Sequence, residues 1–193
     1  LSHYIGLKNL AQIFLKKKIE KFIQIGSSIE NGNIKSPQKE NIVSSSSMIK
    51  SNYGRSKHMA TKLLLKYHNN YALPVTIFRL FQVYGPYQEI NRLIPFTIYN
   101  CLNDLKFPCS SGNQYRDFIY VDDVISLIIK SLNNYKSNGK IFNVGSGIPI
   151  KVNNIIKLIL SRIKKGKPEF GKIKLRKDET KYIFANIKNT SKT

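Results

Sequence analysis

Apolar positions along this chain change period several times, and each change marks an element. Near the amino end Leu7, Leu10, Ile13, Phe14 and Leu15 stand at helical spacing ahead of Lys16, Lys17 and Lys18. Lys21 to Ile25 is a short apolar run closed by Gly26, Ser27 and Ser28, which predicts a buried strand opening onto a loop. From Asn31 to Asn52 the residues are mostly Ser, Asn, Gln, Lys and Pro, so a long loop is expected there. Helical spacing returns near Tyr53 and lasts to about Tyr71, with Met59, Leu63, Leu64 and Tyr67 on one face, until Pro74 stops it. Val75 to Phe81 is apolar on both parities, the pattern of a strand buried on both faces of a parallel sheet. Beyond Gly85 and Pro86 the same alternation continues. It predicts a helix over Ile94 to Leu105, a strand at Phe118 to Val121, a helix from Asp122 to about Leu132, a strand at Lys140 to Val144 and a helix near Val152 to Ile163. A basic segment then ends in Tyr182 to Ile187. Strands alternating with helices give the expected class, α/β with a mainly parallel sheet.

The 193 residues are 41% hydrophobic, enough for one substantial core and room for a second, smaller one. The apolar run Leu73 to Phe81 is cut by Thr76 and Arg79 and falls well short of the roughly 20 residues of a spanning helix. No secretory pattern stands at the amino end, and Cys101 and Cys109 alone make neither a disulfide scaffold nor a zinc knuckle, so a reducing cytoplasm is expected. The net charge of +21 invites a polyanion partner. The distribution argues against nucleic acid: only six basic residues are Arg, and the Lys are spread along the whole chain beside Asn and Ile rather than gathered in a stripe. A solvated basic surface that favours anionic ligands is the expectation. The chain starts at Leu1 rather than Met and already inside a helical pattern, which predicts a fragment.

In open parallel sheets ligands collect beyond the carboxyl ends of the strands. Ser27 and Ser28, Gln82 to Gly85, and Gly145 to Gly147 stand at such places. Tyr53 and Lys57 are one helical turn apart, so both leave the same face. A tyrosine with an ordinary pKa of about 10 is a poor base near neutrality, and an adjacent ammonium favours its phenolate. A serine hydroxyl across the site could then position a substrate alcohol or carbonyl while the phenol exchanges a proton with it.

Five motifs occur in one order: Ser27; Tyr53-Gly54-Arg55-Ser56-Lys57; Arg79-Leu80-Phe81-Gln82-Val83-Tyr84-Gly85-Pro86; Gly112 to Asp123 (GNQYRDFIYVDD); and Phe142 to Gly147 (FNVGSG). From about Gly6 to Ile187 the chain resembles the extended short-chain dehydrogenase/reductase family, in its NAD-dependent nucleotide-sugar epimerase/dehydratase branch. The resemblance implies a Rossmann-like sheet formed by 1–86 and 118–147, with a substrate lobe formed by 87–117 and 148–193. It implies NAD or NADP as cofactor, a nucleoside-diphosphate sugar as substrate, and a homodimer for the full-length parent. By position Ser27, Tyr53 and Lys57 match the catalytic set, with Tyr53, Lys57 and Leu80 also at the cofactor. Gln82, Arg92, Leu93, Arg116 and Arg176 match substrate-binding positions, and Arg116 and Arg176 correspond to two arginines on the substrate pyrophosphate.

The departures from the pattern carry information. No glycine-rich dinucleotide turn is present, and the pair Gly145 and Gly147 is expected to form a strand-end turn instead. Gln82 replaces the more usual Asn, and Asn31 stands where the family often has Tyr. The family's 4,6-dehydratases carry Asp and Glu directly after the catalytic residue, where this chain has Ser28 and Ile29. Glu30 comes one position late, which strand alternation would turn to the opposite side. The resemblance therefore points to epimerase, 4-ketoreductase or decarboxylase chemistry. A non-catalytic basic domain derived from that family and binding anions or nucleic acid is the alternative. Lacking the glycine-rich segment, the fragment itself is expected to be inactive and marginally stable. His3, His58 and His68 are expected to be solvated or structural, Cys101 and Cys109 small buried hydrophobes, and Asp122 and Asp123 helix caps.

Overall fold

A computed structural model describes residues 2–40, 46–175 and 179–192. A π-helical turn at Ser2–Gly6 runs into α1 (Leu7–Leu15), and β1 (Phe22–Ser27) follows. α2 (Asn52–Tyr71) starts at Ser51, whose Oγ accepts the Gly54 N–H at 3.0 Å, and stops at Ala72 in the left-handed conformation. After β2 (Val75–Leu80) the chain continues through β3 (Gln82–Tyr84), α3 (Leu93–Leu102), β4 (Lys106–Pro108), β5 (Tyr115–Tyr120) and α4 (Val121–Leu132). The remaining elements are β6 (Lys140–Val144), β7 (Pro149–Lys151), α5 (Val152–Ile163), β8 (Lys167–Glu169) and β9 (Tyr182–Ile183).

The main sheet is parallel, in the order β1-β2-β6. Its middle strand β2 is buried from Val75 to Arg79, which explains why both parities of that run are apolar. Ala11 of α1 and Leu64 and Tyr67 of α2 pack with Phe22, Val75 and Ile77 on one face. Val124 of α4 packs with Phe78, Phe142 and Val144 on the other. A separate core of Cys101, Phe107, Cys109, Val152 and Ile156 joins α3, β4 and α5. Around it lie a second sheet and a two-stranded one. β5 pairs with β3 and β9 in parallel and with β7 antiparallel, and β4 pairs with β8. Among the described residues no strand pairs with the outer edge of β1. No helix among them is long and apolar enough to cross a membrane.

Several boundaries differ from the sequence pattern for physical reasons. α3 stops at Leu102 rather than Leu105 because Asp104 adopts φ 52°, which frees Lys106 to Pro108 to pair with β8. β5 begins at Tyr115, three residues before the expected strand, since buried Arg116 and Asp117 interrupt its apolar pattern. The expected strand end Val121 instead opens α4. Asp122 and Asp123 are not caps: the N-cap position is Tyr120, without a side-chain bond, and the two carboxylates lie in the first turn, where the helix dipole favours them. Within the expected loop Ser46–Met48 forms a 3-10 turn, and Gln38 bridges to Ala185. The three-residue strands β3, β4, β7 and β8 are too short to show a period.

Candidate active site

Ser27, Leu80 and Val144 are register partners across the main sheet, so β1, β2 and β6 end level and share one rim. Ser27 closes β1 and caps the 3-10 turn Ser28–Asn31. Its N–H donates to Glu30 Oε1 at 2.8 Å. The turn, rather than strand alternation, decides where Glu30 goes, and the carboxylate is tucked inward and fully buried. There Glu30 Oε2 accepts from Thr61 Oγ1 of α2 at 2.7 Å and from Arg79 Nε of β2 at 3.3 Å. Gly26 leaves the space for it, because a Cβ at that position would lie 2.5 Å from Glu30 Oε1. Arg79 Nη1 donates to Asn31 Oδ1 at 2.8 Å, and Asn31 Nδ2 to Gln38 Oε1 at 3.1 Å. A buried polar chain thus runs beneath the Ser27 turn.

Tyr53 and Lys57 leave the first turns of α2 on the same side. Lys57 Nζ donates to the Ile25 carbonyl of β1 at 2.8 Å and lies 5.9 Å from the centroid of the Tyr53 ring. Burial lowers the Lys57 pKa from its ordinary value, and the Glu30 carboxylate opposes that shift. Tyr53 is 47% exposed to solvent.

One cavity opens at this rim, and two more follow beside it through shared lining residues. One of about 360 Å³ includes Ser27, Gln82 and Arg92. A second, of about 630 Å³, shares Gln82 and Arg92 and adds Leu93. A third, mostly apolar and about 740 Å³, lies over the α3–α5 core and includes Leu93, Phe96 and Val152. Glu179 borders all three. Arg92 occupies the N-cap position of α3, where unpaired amides favour an anion. Arg116 borders none of the three: its Nη1 donates to the carbonyls of Tyr115 (2.7 Å) and Thr180 (3.0 Å), and its Nη2 pairs with Glu179. Burial lowers the Arg116 pKa while Glu179 raises it. Leu80 ends β2 beside Ser27, and Arg176 lies outside the described residues.

Other polar residues are structural. The carboxylate of Asp117 is fully buried and accepts from Ser146 N (2.6 Å), Ser146 Oγ (2.7 Å), Gly147 N (3.0 Å) and Ala185 N (3.0 Å). The Gly145–Gly147 segment is therefore a strand-end turn clamped by an acid, as its spacing predicts. His58 is buried, as are Cys101 and Cys109, whose thiol pKa values burial raises. Sequence reasoning passed over Asp117 and Glu179 and gave Asn31 no role. The Ser-x-x-Glu spacing of Ser27 and Glu30, a capping box, is the signal that could have located the Glu30 turn.

Residues 2–145 match the profile of the "NAD dependent epimerase/dehydratase family". CDP-abequose synthase of Salmonella typhimurium is 33% identical over 130 residues, which cover 64% of this chain and 43% of the relative. UDP-glucuronate 4-epimerase of Thermodesulfobacterium geofontis is 34% identical over 146 residues, 72% of this chain and 43% of that protein. The chain thus spans less than half the length of these curated relatives. Among solved structures, a UDP-glucuronic acid 4-epimerase from Bacillus cereus, in complex with UDP-glucuronic acid and NAD, superposes with a TM-score of 0.88 at 27% identity. That superposition covers 98% of this chain and 60% of the epimerase.

Proposed function

The chain belongs to the NAD dependent epimerase/dehydratase family, and on that footing we propose that it forms the catalytic rim and nucleotide lobe of a nucleotide-sugar epimerase or 4-ketoreductase. The observation that carries this reading is the pairing of Tyr53 and Lys57 on α2 beside the carboxyl end of β1, where Ser27 borders a cavity. Ser27 Oγ orients a sugar oxygen, and the Tyr53 hydroxyl gives or takes its proton. Lys57, anchored on the Ile25 carbonyl, keeps a positive charge beside the phenol. Tyr53 and the Lys57 ammonium suit the ribose and nicotinamide end of NAD or NADP, which supplies hydride transfer when bound. Residues 87–117 and 148–193 serve as the substrate lobe: the apolar cavity takes the nucleoside, and the Ser27 cavity takes the sugar.

Two features favour epimerase or reductase chemistry over dehydration. Ser28 and Ile29 supply no acid, and Glu30 is committed to Arg79, Thr61 and the Ser27 amide. In the enzyme that carries these residues, Tyr53→Phe should lower turnover by orders of magnitude and leave nucleotide-sugar affinity nearly unchanged. Turnover near the wild-type value overturns the assignment.

A further inference from the structure

The Glu30 carboxylate touches both halves of the proposed proton-transfer set. Its Oε1 accepts the Ser27 N–H at the end of β1, at 2.8 Å, and its Oε2 accepts Thr61 Oγ1 of α2 at 2.7 Å. Thr61 stands one turn beyond Lys57 and about two beyond Tyr53, so holding Thr61 holds the helix that carries both. Lys57 makes a second tie between the same two elements, from its Nζ to the Ile25 carbonyl, two residues before Ser27. β1 and α2 are thus joined at neighbouring points, once through a carboxylate and once through an ammonium. Arg79 pairs with the carboxylate from β2. Fold stability alone gives little reason for this acid, because apolar side chains of similar volume hold a core as well as a buried ion pair does. What an apolar residue could not supply at this place is a negative charge facing Lys57.

We infer that Glu30 is a positioning residue that acts through Lys57: it holds α2 on the Ser27 turn and faces the Lys57 ammonium with a negative charge. The inference rests on the proton-transfer role proposed for Tyr53 and Lys57. Around the carboxylate stand Arg79 from β2, and Lys57 and His58 from α2. Arg79 is its hydrogen-bonded partner. His58, whose pKa burial lowers, is neutral across the alkaline range in which a lysine titrates. At Lys57 itself burial disfavours the ammonium and Glu30 favours it. The Tyr53 phenol is the other titratable neighbour. An ammonium that stays charged keeps its charge-assisted bond to the Ile25 carbonyl and its influence on the phenol, and a neutral amine loses both.

Competitive labelling of lysine amines with acetic anhydride across a pH series, read at Lys57 by mass spectrometry, gives the titration midpoint of that residue in the 193-residue protein without cofactor or substrate. Tyr53→Phe serves as the common background and removes the phenol's own ionisation. Glu30→Gln should lower the Lys57 midpoint by about one pH unit. Glu30→Asp, which keeps the charge, should recover most of that fall. A residue that served only the fold would give the opposite sign, because loosening the rim admits water to Lys57 and moves its midpoint up toward the ordinary lysine value. Where Glu30→Gln alone does not fold, Glu30→Gln combined with Arg79→Met, which strands no charge, takes its place with the same expectation. A midpoint that is unchanged or raised in the glutamine variant, or an aspartate variant that matches the glutamine one, overturns the inference. The nucleotide-sugar reading fails separately, on the turnover of Tyr53→Phe.

Discussion

Arg79→Met tests how far the buried polar chain supports the rim. Both members of the Arg79–Glu30 pair are fully buried. Removing the guanidinium leaves a carboxylate whose remaining donors, Thr61 Oγ1 and the Ser27 N–H, are neutral. Breaking a buried pair by deleting one partner costs about 3 to 5 kcal/mol, because the other charge stays buried without compensation. With a urea dependence of about 2 kcal/mol per molar, the unfolding midpoint should drop by about 1.5 to 2.5 M. Glu30→Gln in the Arg79→Met background removes the stranded charge while keeping an oxygen to accept the Ser27 N–H and an amide N–H that the Thr61 hydroxyl can accept, so it should recover most of the loss. Urea denaturation of the wild type, both single variants and the double variant gives the coupling between the two sites. If the double variant loses the sum of the single losses, the pair is not coupled and the account of the Ser27 turn fails.

Two further outcomes follow from buried groups. Burial lowers the His58 pKa, Lys62 and Arg79 add to that effect, and Glu30 opposes it, so the native state holds the ring neutral below the unfolded-state value of 6.5. Stability contributed by neutral His58 is complete above that value and is lost as pH falls through the native pKa, by at most about 1.4 kcal/mol per pH unit. Chemical denaturation between pH 7 and 5 should therefore show a steeper decline for wild type than for His58→Leu, and parallel curves would contradict the assignment. Gly145→Ala places a Cβ 2.5 Å from Asp117 Oδ2, within a carboxylate already saturated by donors. It should cost about 1 to 3 kcal/mol in thermal or urea unfolding, and an unchanged midpoint would show that the clamp yields freely.

The parts of this molecule visible in its sequence are those governed by local pattern. β2 declares itself because a strand covered on both faces is apolar on both parities, with Thr76 and Arg79 the buried exceptions, and α2 because its buried face repeats at helical spacing. The placement of Ser27 at the end of a strand and of Tyr53 and Lys57 one turn apart on a helix is likewise visible through order and spacing. What was hidden depends on contacts between distant residues. β5 carries Arg116 and Asp117 directly after Tyr115, and their burial makes sense only with Glu179 and the 146–147 turn in place, 63 and about 30 residues away. Glu30 looked like a misplaced catalytic acid because its partner Arg79 is 49 residues downstream. Polar residues buried in such pairs imitate surface residues in any local window.

The Asp117 clamp also bears on the order in which the chain can mature. Its partners lie 29, 30 and 68 residues further along. A ribosome adding roughly 5 to 20 residues per second needs about 3 to 14 s to travel from Asp117 to Ala185. For that interval the acid at the start of β5 has no complete set of donors and cannot be sealed from water without a penalty. The second sheet is therefore a late structure. The nascent polypeptide can close the β1-β2-β6 layer while β5 waits, solvated, for the last segment to arrive and lock it.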